Sequence, residues 1–408
     1  MSIDLVRPEL VGMTTYITTP THGKTRLHLN ESPWIPTEEF SVFLEPVFKV
    51  TVADQGQGIS SAQRQNTLNV LDGASTEATK PFATSVDCEN RFLNCYPDLE
   101  PQSQLEQALA EIYYVNPENL LLTRGADEGI DFIMRLFLQP GIDSIMQFPP
   151  AFLMYAFYAR MQQANVICCP LKDTDFSLDL ELLDQLWQPH CKLIMLCSPN
   201  NPTGNLIDLE TIASLCQKYE RRAIIVVDEA YVEFAQNRYS NSTETVSATS
   251  LINSFDNLLV LRTLSKAYGL AGLRLGSVIG PAPLIQALRS ITPPFTFSSL
   301  VIERALRVLK NASWIKTAVE NIVMFREELQ VSLRTFSWVE KVYPSEANFI
   351  FLKTKQAHSV SSWLEKNNIL VRHYNGNPLL DDKLRITVGD RLQNEALLLA
   401  LRSFQPDF

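Results

Sequence analysis

The chain lacks the signatures of a metal ribbon or a disulfide scaffold. Its seven cysteines (Cys88, Cys95, Cys168, Cys169, Cys191, Cys197 and Cys216) are odd in number and contain no CxxC pair. That excludes both a zinc ribbon and a cystine framework, and it predicts a reducing compartment and no bound metal. No lysine-rich or arginine-rich tract interrupts an excess of acid, 45 Asp and Glu against 35 Lys and Arg, net charge −10. Nucleic acid, which selects for such tracts, is therefore not an expected partner. No apolar stretch reaches membrane-spanning length, and the start, MSIDLVRPELVGMTTY, has no basic region followed by an apolar run. These two absences argue against a membrane partner and a secretory leader, and lead to the expectation of a soluble cytoplasmic protein. The GQG at Gly56 to Gly58 is not followed by a nucleotide fingerprint after a strand.

What is present is alternation. At 408 residues the chain exceeds the roughly 250–300 at which a single core stops growing, so two packed domains are expected. From about residue 105, short apolar runs alternate with amphipathic ones. NLLLT, SIMQF, KLIMLC, AIIVVDE and NLLVLRT read as strands, while ADEGIDFIMRLFL places Ile130, Ile133, Met134 and Phe137 at helical spacing. The pattern predicts a mainly parallel sheet covered by helices. The long amphipathic SWIKTAVENIVMFREELQVSLRTF then leads to a smaller α+β unit with NFIFLKT, NILVRHY, KLRITVG and a last helix. Residues 40 to about 90 have small polar residues and little periodicity, and read as a long excursion.

Ligands of open α/β sheets gather at the carboxyl ends of the strands. Here KLIMLC runs into SPNNPTG with Asn200 and Asn201, AIIVV ends on DEAY with Asp228 and Tyr231, and LLVLRT ends on LSK with Lys266. NLLLT runs into RGADEG, which opens a helix. An aldehyde cofactor that makes a Schiff base needs a lysine that can be neutral, and Lys266, with Arg274 eight residues on, meets that need. A pyridine ring stays protonated only beside a fixed carboxylate, for which Asp228 is placed. Asn201 and Tyr231 can donate to a ring oxygen. Ala126 and Asp127 at the helix start, with Arg274 and Ser265, can hold a phosphate. Each residue alone has a plainer explanation: Asp228 as a cap, Asn201 as a turn residue, Lys266 as a surface lysine. It is their occurrence together, on successive strand ends, that points to chemistry.

These residues resemble the aspartate-aminotransferase-like superfamily (fold type I) of pyridoxal 5'-phosphate enzymes and, within it, the histidinol-phosphate aminotransferases. The motifs that carry the resemblance occur in the family's order: LHLNESP, YPD, RGADEG, PPAFLMY, CSPNNPTG, VVDEAYVEF, LRTLSKAYGLAGLRLG, EANFI and LRITVG. The resemblance implies a large domain with a mostly parallel seven-stranded sheet flanked by helices, at 91–290, and a smaller α+β domain at 291–408. It also implies an N-terminal arm at 1–40 that contributes to the dimer and the small domain, with 41–90 as a family-atypical insertion. Lys266 would join the cofactor aldehyde and move the proton, Asp228 would pair with the pyridine nitrogen, and Asn201 and Tyr231 would hold the ring oxygen. Phe152 would stack on the ring, and Ala126, Asp127, Thr263, Ser265 and Arg274 would hold the phosphate. Tyr96 would reach that phosphate from the neighbouring subunit of a homodimer with shared active sites.

Arg385 would bind the donor carboxylate, Arg372 the substrate phosphate, with Tyr16 joining from the other subunit and Asn348 of EANFI lining the substrate. The implied reaction is transamination of L-histidinol phosphate with 2-oxoglutarate in histidine biosynthesis. Three alternatives stay open: an aromatic or broad-range aminotransferase, a threonine-phosphate decarboxylase, and a silent binding protein on the same fold. Departures from the family pattern are Thr15 before Tyr16, Ser32 in NESPW, and the length between Glu31 and Tyr96. The five histidines are scattered, and none identifies itself as a partner of an imidazole ring.

Overall fold

In the computed structural model, the described residues are 23–34, 96–236, 245–377 and 379–405. The apolar runs become strands and the amphipathic runs become helices. A seven-stranded sheet is made of β2 (Leu120–Thr123), β3 (Ser144–Gln147), β4 (Asn165–Cys168), β5 (Cys191–Cys197), β6 (Ile224–Asp228), β7 (Leu258–Thr263) and β8 (Gly276–Ile279), in the spatial order β2-β8-β7-β6-β5-β3-β4. Every pairing is parallel except the two made by β8. Successive residues of β7 are all buried, as are nearly all of β5 and β6, so both faces of the central sheet are covered. That is why these segments read as continuous apolar runs and not as alternating ones.

Helix α2 (Gly125–Phe137) packs Ile130, Ile133 and Met134 against Leu121, Leu261 and Val278 of the sheet. Helices α3 (Met154–Met161) and α7 (Ala282–Arg289) complete that core layer with Tyr155, Ala159, Ile285 and Leu288. The approach of α2 to the sheet is close. A methyl group on Gly129 would stand 2.8 Å from Leu261 Cδ2 and 2.9 Å from a Val278 methyl.

The second sheet has five strands: β1 (Thr25–Leu27), β9 (Lys341–Val342), β10 (Phe349–Lys353), β11 (Ile369–His373) and β12 (Lys383–Thr387), ordered β1-β11-β12-β10-β9. Only the β1–β11 pair is parallel. Helix α9 (Ala312–Leu333) precedes β9, and α11 (Arg391–Arg402) closes the chain on a capping box in which Asp390 and Gln393 each take the other's backbone N–H. Both sheets belong to one compact unit, residues 1–36 and 98–408, while residues 37–97 form another. Of the second unit only Tyr96 and Pro97 are described. The excursion at 41–90 and Tyr16 lie outside the described residues, as do Cys88 and Cys95.

Four strands escape a reading by apolar runs: β1, β4, β8 and β9. β4 carries exposed residues at a sheet edge, β1 and β9 are three and two residues long, and β8 begins on the glycine that ends the LRLG motif.

Candidate active site

Asp228 is the last residue of β6, in register with Cys197 of β5 and Leu261 of β7. Its side chain is buried; Oδ1 accepts from the Ala230 N–H at 3.1 Å and Oδ2 from the Tyr155 hydroxyl at 2.7 Å. Burial raises this carboxyl to about 6, while the Tyr155 and Ala230 donors and the Lys266 charge pull it back. Two donors leave lone pairs unused, so Asp228 can accept one more N–H.

Lys266 follows the end of β7 by three residues. Its Nζ donates to the Leu29 carbonyl at 2.9 Å and lies 5.9 Å from the centre of the Tyr231 ring. Burial, then the cationic Arg385 and Arg274, push its amine down to about 8, against the pull of Glu31 and Asp127. A lysine whose proton is this loosely held can act as nucleophile and base near neutrality.

A hydrogen-bonded relay joins the two sheets across the site. Arg385 Nη1 donates to Asn201 Oδ1 at 2.6 Å, and Asn201 Nδ2 donates to the Tyr231 hydroxyl at 3.4 Å. Asn30 Nδ2 donates to the same hydroxyl at 3.1 Å, Thr387 donates to Asn30 Oδ1 at 2.9 Å, and Asn348 Nδ2 donates to the Asn30 carbonyl at 3.1 Å. Residues 28 to 30 act as a strap through this relay. The His28 carbonyl takes Arg385 Nη2 at 2.6 Å, the Leu29 carbonyl takes Lys266, and Asn30 takes three partners. Asn30 has φ 53°, a left-handed conformation that asparagine tolerates better than most residues.

Several hydrogen-bond donors converge where β2 turns into α2, the place expected to hold a phosphate. The helix has no side-chain cap at Arg124, so its first N–H groups are open. Arg274, itself left-handed at φ 52°, crosses that end, its Nη1 3.4 Å from Ser265 Oγ and its Nη2 3.4 Å from Asp127 Oδ2. Thr263 Oγ1 donates to Ser265 Oγ at 3.0 Å. Gly125, at φ +77°, leaves room for this fork, since a Cβ there would lie 2.6 Å from Arg274 Nη2. A helix start, a guanidinium and a hydroxyl converging on one point are the donor set a phosphate requires, so these residues fit pyridoxal 5'-phosphate. Phe152 meets Tyr155 edge to face at 5.7 Å, which ties the aromatic expected over the ring to the residue that holds Asp228.

On the small sheet, Arg372 of β11 is in register with Arg385 of β12. Arg385 is 7% exposed, lies 5.4 Å from the Phe349 ring centre, and has no hydrogen-bond partner at Nε, while Arg372 lies over Tyr374 at 5.5 Å. Asn348 is fully buried, with Oδ1 unpartnered. Thus Lys266, Asp228, Tyr231, Asn201, Asn348 and Arg385 come together around the relay and the strap, and Arg372 is the cross-strand neighbour of Arg385. Tyr96 is 79% exposed on the single chain.

Three residues of this site escape sequence reasoning. Tyr155 sits inside PPAFLMY and Asn30 and His28 inside LHLNESP, but nothing in their spacing shows that Tyr155 reaches Asp228 or that the strap crosses the relay. Among the described residues there is no group of three or more metal-ligating side chains and no helix long and apolar enough to cross a membrane.

An open, mostly parallel sheet whose strand ends present such a lysine, carboxylate and phosphate cup defines a pyridoxal phosphate-dependent enzyme of fold type I. The histidinol-phosphate aminotransferase of Sinorhizobium meliloti, solved with pyridoxal 5'-phosphate, superposes with a TM-score of 0.72 at 22% identity, covering 92% of this chain and 89% of that one. The L-threonine-O-3-phosphate decarboxylase of Porphyromonas gingivalis superposes at 0.65 with 26% identity, covering 78% and 93%.

The profile of the family Aminotransferase class I and II matches residues 68–401. Histidinol-phosphate aminotransferase 1 of Legionella pneumophila (strain Lens) is 41% identical over 406 residues, 99% of this chain and 96% of that protein. The histidinol-phosphate aminotransferase of Xylella fastidiosa is 39% identical over 315 residues, 76% and 84%. The chain belongs to the class I and II aminotransferases and, among them, to the histidinol-phosphate aminotransferases. The Legionella match runs through the 41–90 excursion, so that segment is shared with at least one relative of similar length.

Proposed function

We propose that the protein transfers the amino group of L-histidinol phosphate to 2-oxoglutarate, reversibly, by a ping-pong reaction. The observation that carries this reading is that Arg372 and Arg385 are cross-strand neighbours in register, with Arg385 joined to the Asn201–Tyr231 relay: two cationic residues for a substrate with an anionic end remote from its amine. The names of the relatives support it; a donor such as L-glutamate would present a planar carboxylate that matches a guanidinium fork.

Pyridoxal phosphate, when bound, supplies the aldehyde that takes up the amino group and the ring that draws electrons from the substrate α-carbon. Ala126, Asp127, Thr263, Ser265 and Arg274 would hold its phosphate, Asp228 would keep its ring nitrogen protonated, Asn201 and Tyr231 would donate to its ring oxygen, and Phe152 would pack against it. Lys266 Nζ takes the α-proton of the amine and later returns it. Arg385 binds a carboxylate in one half-reaction and, with Arg372 and Tyr16, a phosphate in the other. Asn348 orients the strap through Asn30.

The same reading makes the enzyme a homodimer, with Tyr96 reaching the partner's phosphate cup. Leu99, Tyr114, Phe295 and Leu300 are large apolar residues exposed on the single chain, as a dimer surface requires. The sheet of 91–290 and that of 291–408 would be its large and small domains.

The test is a single-turnover absorbance titration of the purified enzyme with L-histidinol phosphate, L-tyrosine and L-phenylalanine. Conversion of the cofactor band at low histidinol phosphate, and sluggish conversion by the other two, is expected. Equal conversion by the aromatic amino acids would make the protein a broad aromatic aminotransferase. Evolved carbon dioxide would make it a decarboxylase.

A further inference from the structure

His28 is 5% exposed, and neither Nδ1 nor Nε2 of its ring has a hydrogen-bond partner. Buried polar groups nearly always pair, because an unpaired one bears its full desolvation cost, so a buried ring with two idle nitrogens needs an explanation. Two further idle atoms belong to residues that hold the strap of which His28 is part. Arg385, whose Nη2 donates to the His28 carbonyl, is unpaired at Nε, and Asn348, which donates to the Asn30 carbonyl, is unpaired at Oδ1.

The position of His28 indicates what it faces. β1 runs parallel to β11 with Leu27 in register with Val371, so His28 follows on toward the level of Arg372, which is itself in register with Arg385. The three residues form a row across adjacent strands. Burial, then Arg385, Arg26 and Arg372, hold the imidazole down at about 4, so it is neutral near pH 7. A neutral ring among arginines offers an N–H without adding repulsion, and a tetrahedral dianion has oxygens enough for two guanidinium groups and one further donor.

We propose that His28 is a further ligand for the phosphate end of the substrate, donating a ring N–H to a phosphate oxygen beside Arg372 and Arg385. The proposal rests on the reading of the substrate as a phosphorylated amine. It makes His28 a specificity residue that distinguishes the phosphorylated amine from its alcohol.

The experiment compares kcat/KM of the holoenzyme for L-histidinol phosphate and for L-histidinol in the wild type and in His28→Asn, His28→Gln and His28→Phe. Inorganic phosphate is added as a competitor of L-histidinol. In His28→Phe the preference for the phosphorylated substrate is expected to fall about ten-fold, mostly through KM, with inhibition by inorganic phosphate weakened in parallel. At least one of the amides, which place an N–H near Nδ1 or Nε2, keeps the preference. His28→Ala replaces the Phe variant should the larger ring prevent folding. Equal losses on both substrates would mean that the ring serves the part they share, and would overturn the proposal. A strong wild-type preference that survives in every variant would overturn the role of His28 alone. Absence of any wild-type preference would remove the substrate reading and this inference together.

Discussion

At the scale of single residues, burial has displaced toward neutrality the ionisation of Lys266 and Asp228, the two groups to which the chemistry is assigned. Lys266, pushed down to about 8, is an ammonium below that pH and a free amine above it. Capture of added pyridoxal phosphate by the apoprotein is therefore expected to slow about ten-fold per pH unit below 8 and to level off above. An inflection near the ordinary 10.5, followed by stopped-flow absorbance, would show that the fold does not act on this lysine. Lys266→Ala is expected to retain cofactor through the phosphate cup and Asp228 while losing turnover, and an active variant would reject its assigned role. Tyr155→Phe removes the 2.7 Å donor from Asp228 without emptying the core. The loss of one charge-assisted hydrogen bond is about 1–2 kcal/mol, so kcat should fall roughly ten-fold. Because that donor holds the carboxyl down, the acid limb of the pH–absorbance profile of the bound cofactor should move to higher pH. An unmoved limb would separate Tyr155 from Asp228.

At the scale of elements, glycine decides how closely α2 approaches its sheet. Gly129→Val would force side-chain atoms into Leu261 and Val278, and overpacking of this kind costs about 1–3 kcal/mol. A lower Tm is expected, together with weaker retention of pyridoxal phosphate, because the helix that is displaced is the one that opens the phosphate cup. A variant with unchanged melting and unchanged cofactor retention would show that the contact can relax. The motif RGADEG is thus legible twice, once as a helix start for an anion and once as a close helix–sheet contact. Only the first follows from the string of letters; the second requires knowing which strands lie beneath Gly129.

At the scale of the molecule, the assignment of Tyr96 to the partner's site has a direct test. Lys266→Ala and Tyr96→Ala subunits are each impaired as homodimers. In a hybrid of the two, a site that takes Tyr96 from its partner is restored once and doubly damaged once. Random reassembly should then recover activity to about a quarter of the wild-type value, since half the dimers are hybrids with one intact site each. No recovery above the Tyr96→Ala level would place Tyr96 in its own subunit's site. The same scale explains why no histidine was legible as functional in the sequence. His28 has no distinguishing neighbours in the chain, and its idle nitrogens exist only because β1 docks beside β11 and buries them among arginines.

Sequence by itself determined the alternation of buried strands and amphipathic helices, and with it the polar residues that end the central strands. Both follow from local rules, since a strand covered on two faces must be apolar throughout and its end must turn to polar chain. Asp228, Asn201, Lys266 and the start of α2 were legible for that reason. Tertiary structure alone decided how those ends are joined: the strap of residues 28 to 30, the Tyr155 hydroxyl on Asp228, and the cross-strand register of Arg372 and Arg385. The contacts of Tyr155 with Asp228 and of the strap with Arg385 join residues 73 and 357 apart in the chain. No local periodicity records pairings so distant, because burial and register bring them together only once both sheets have formed.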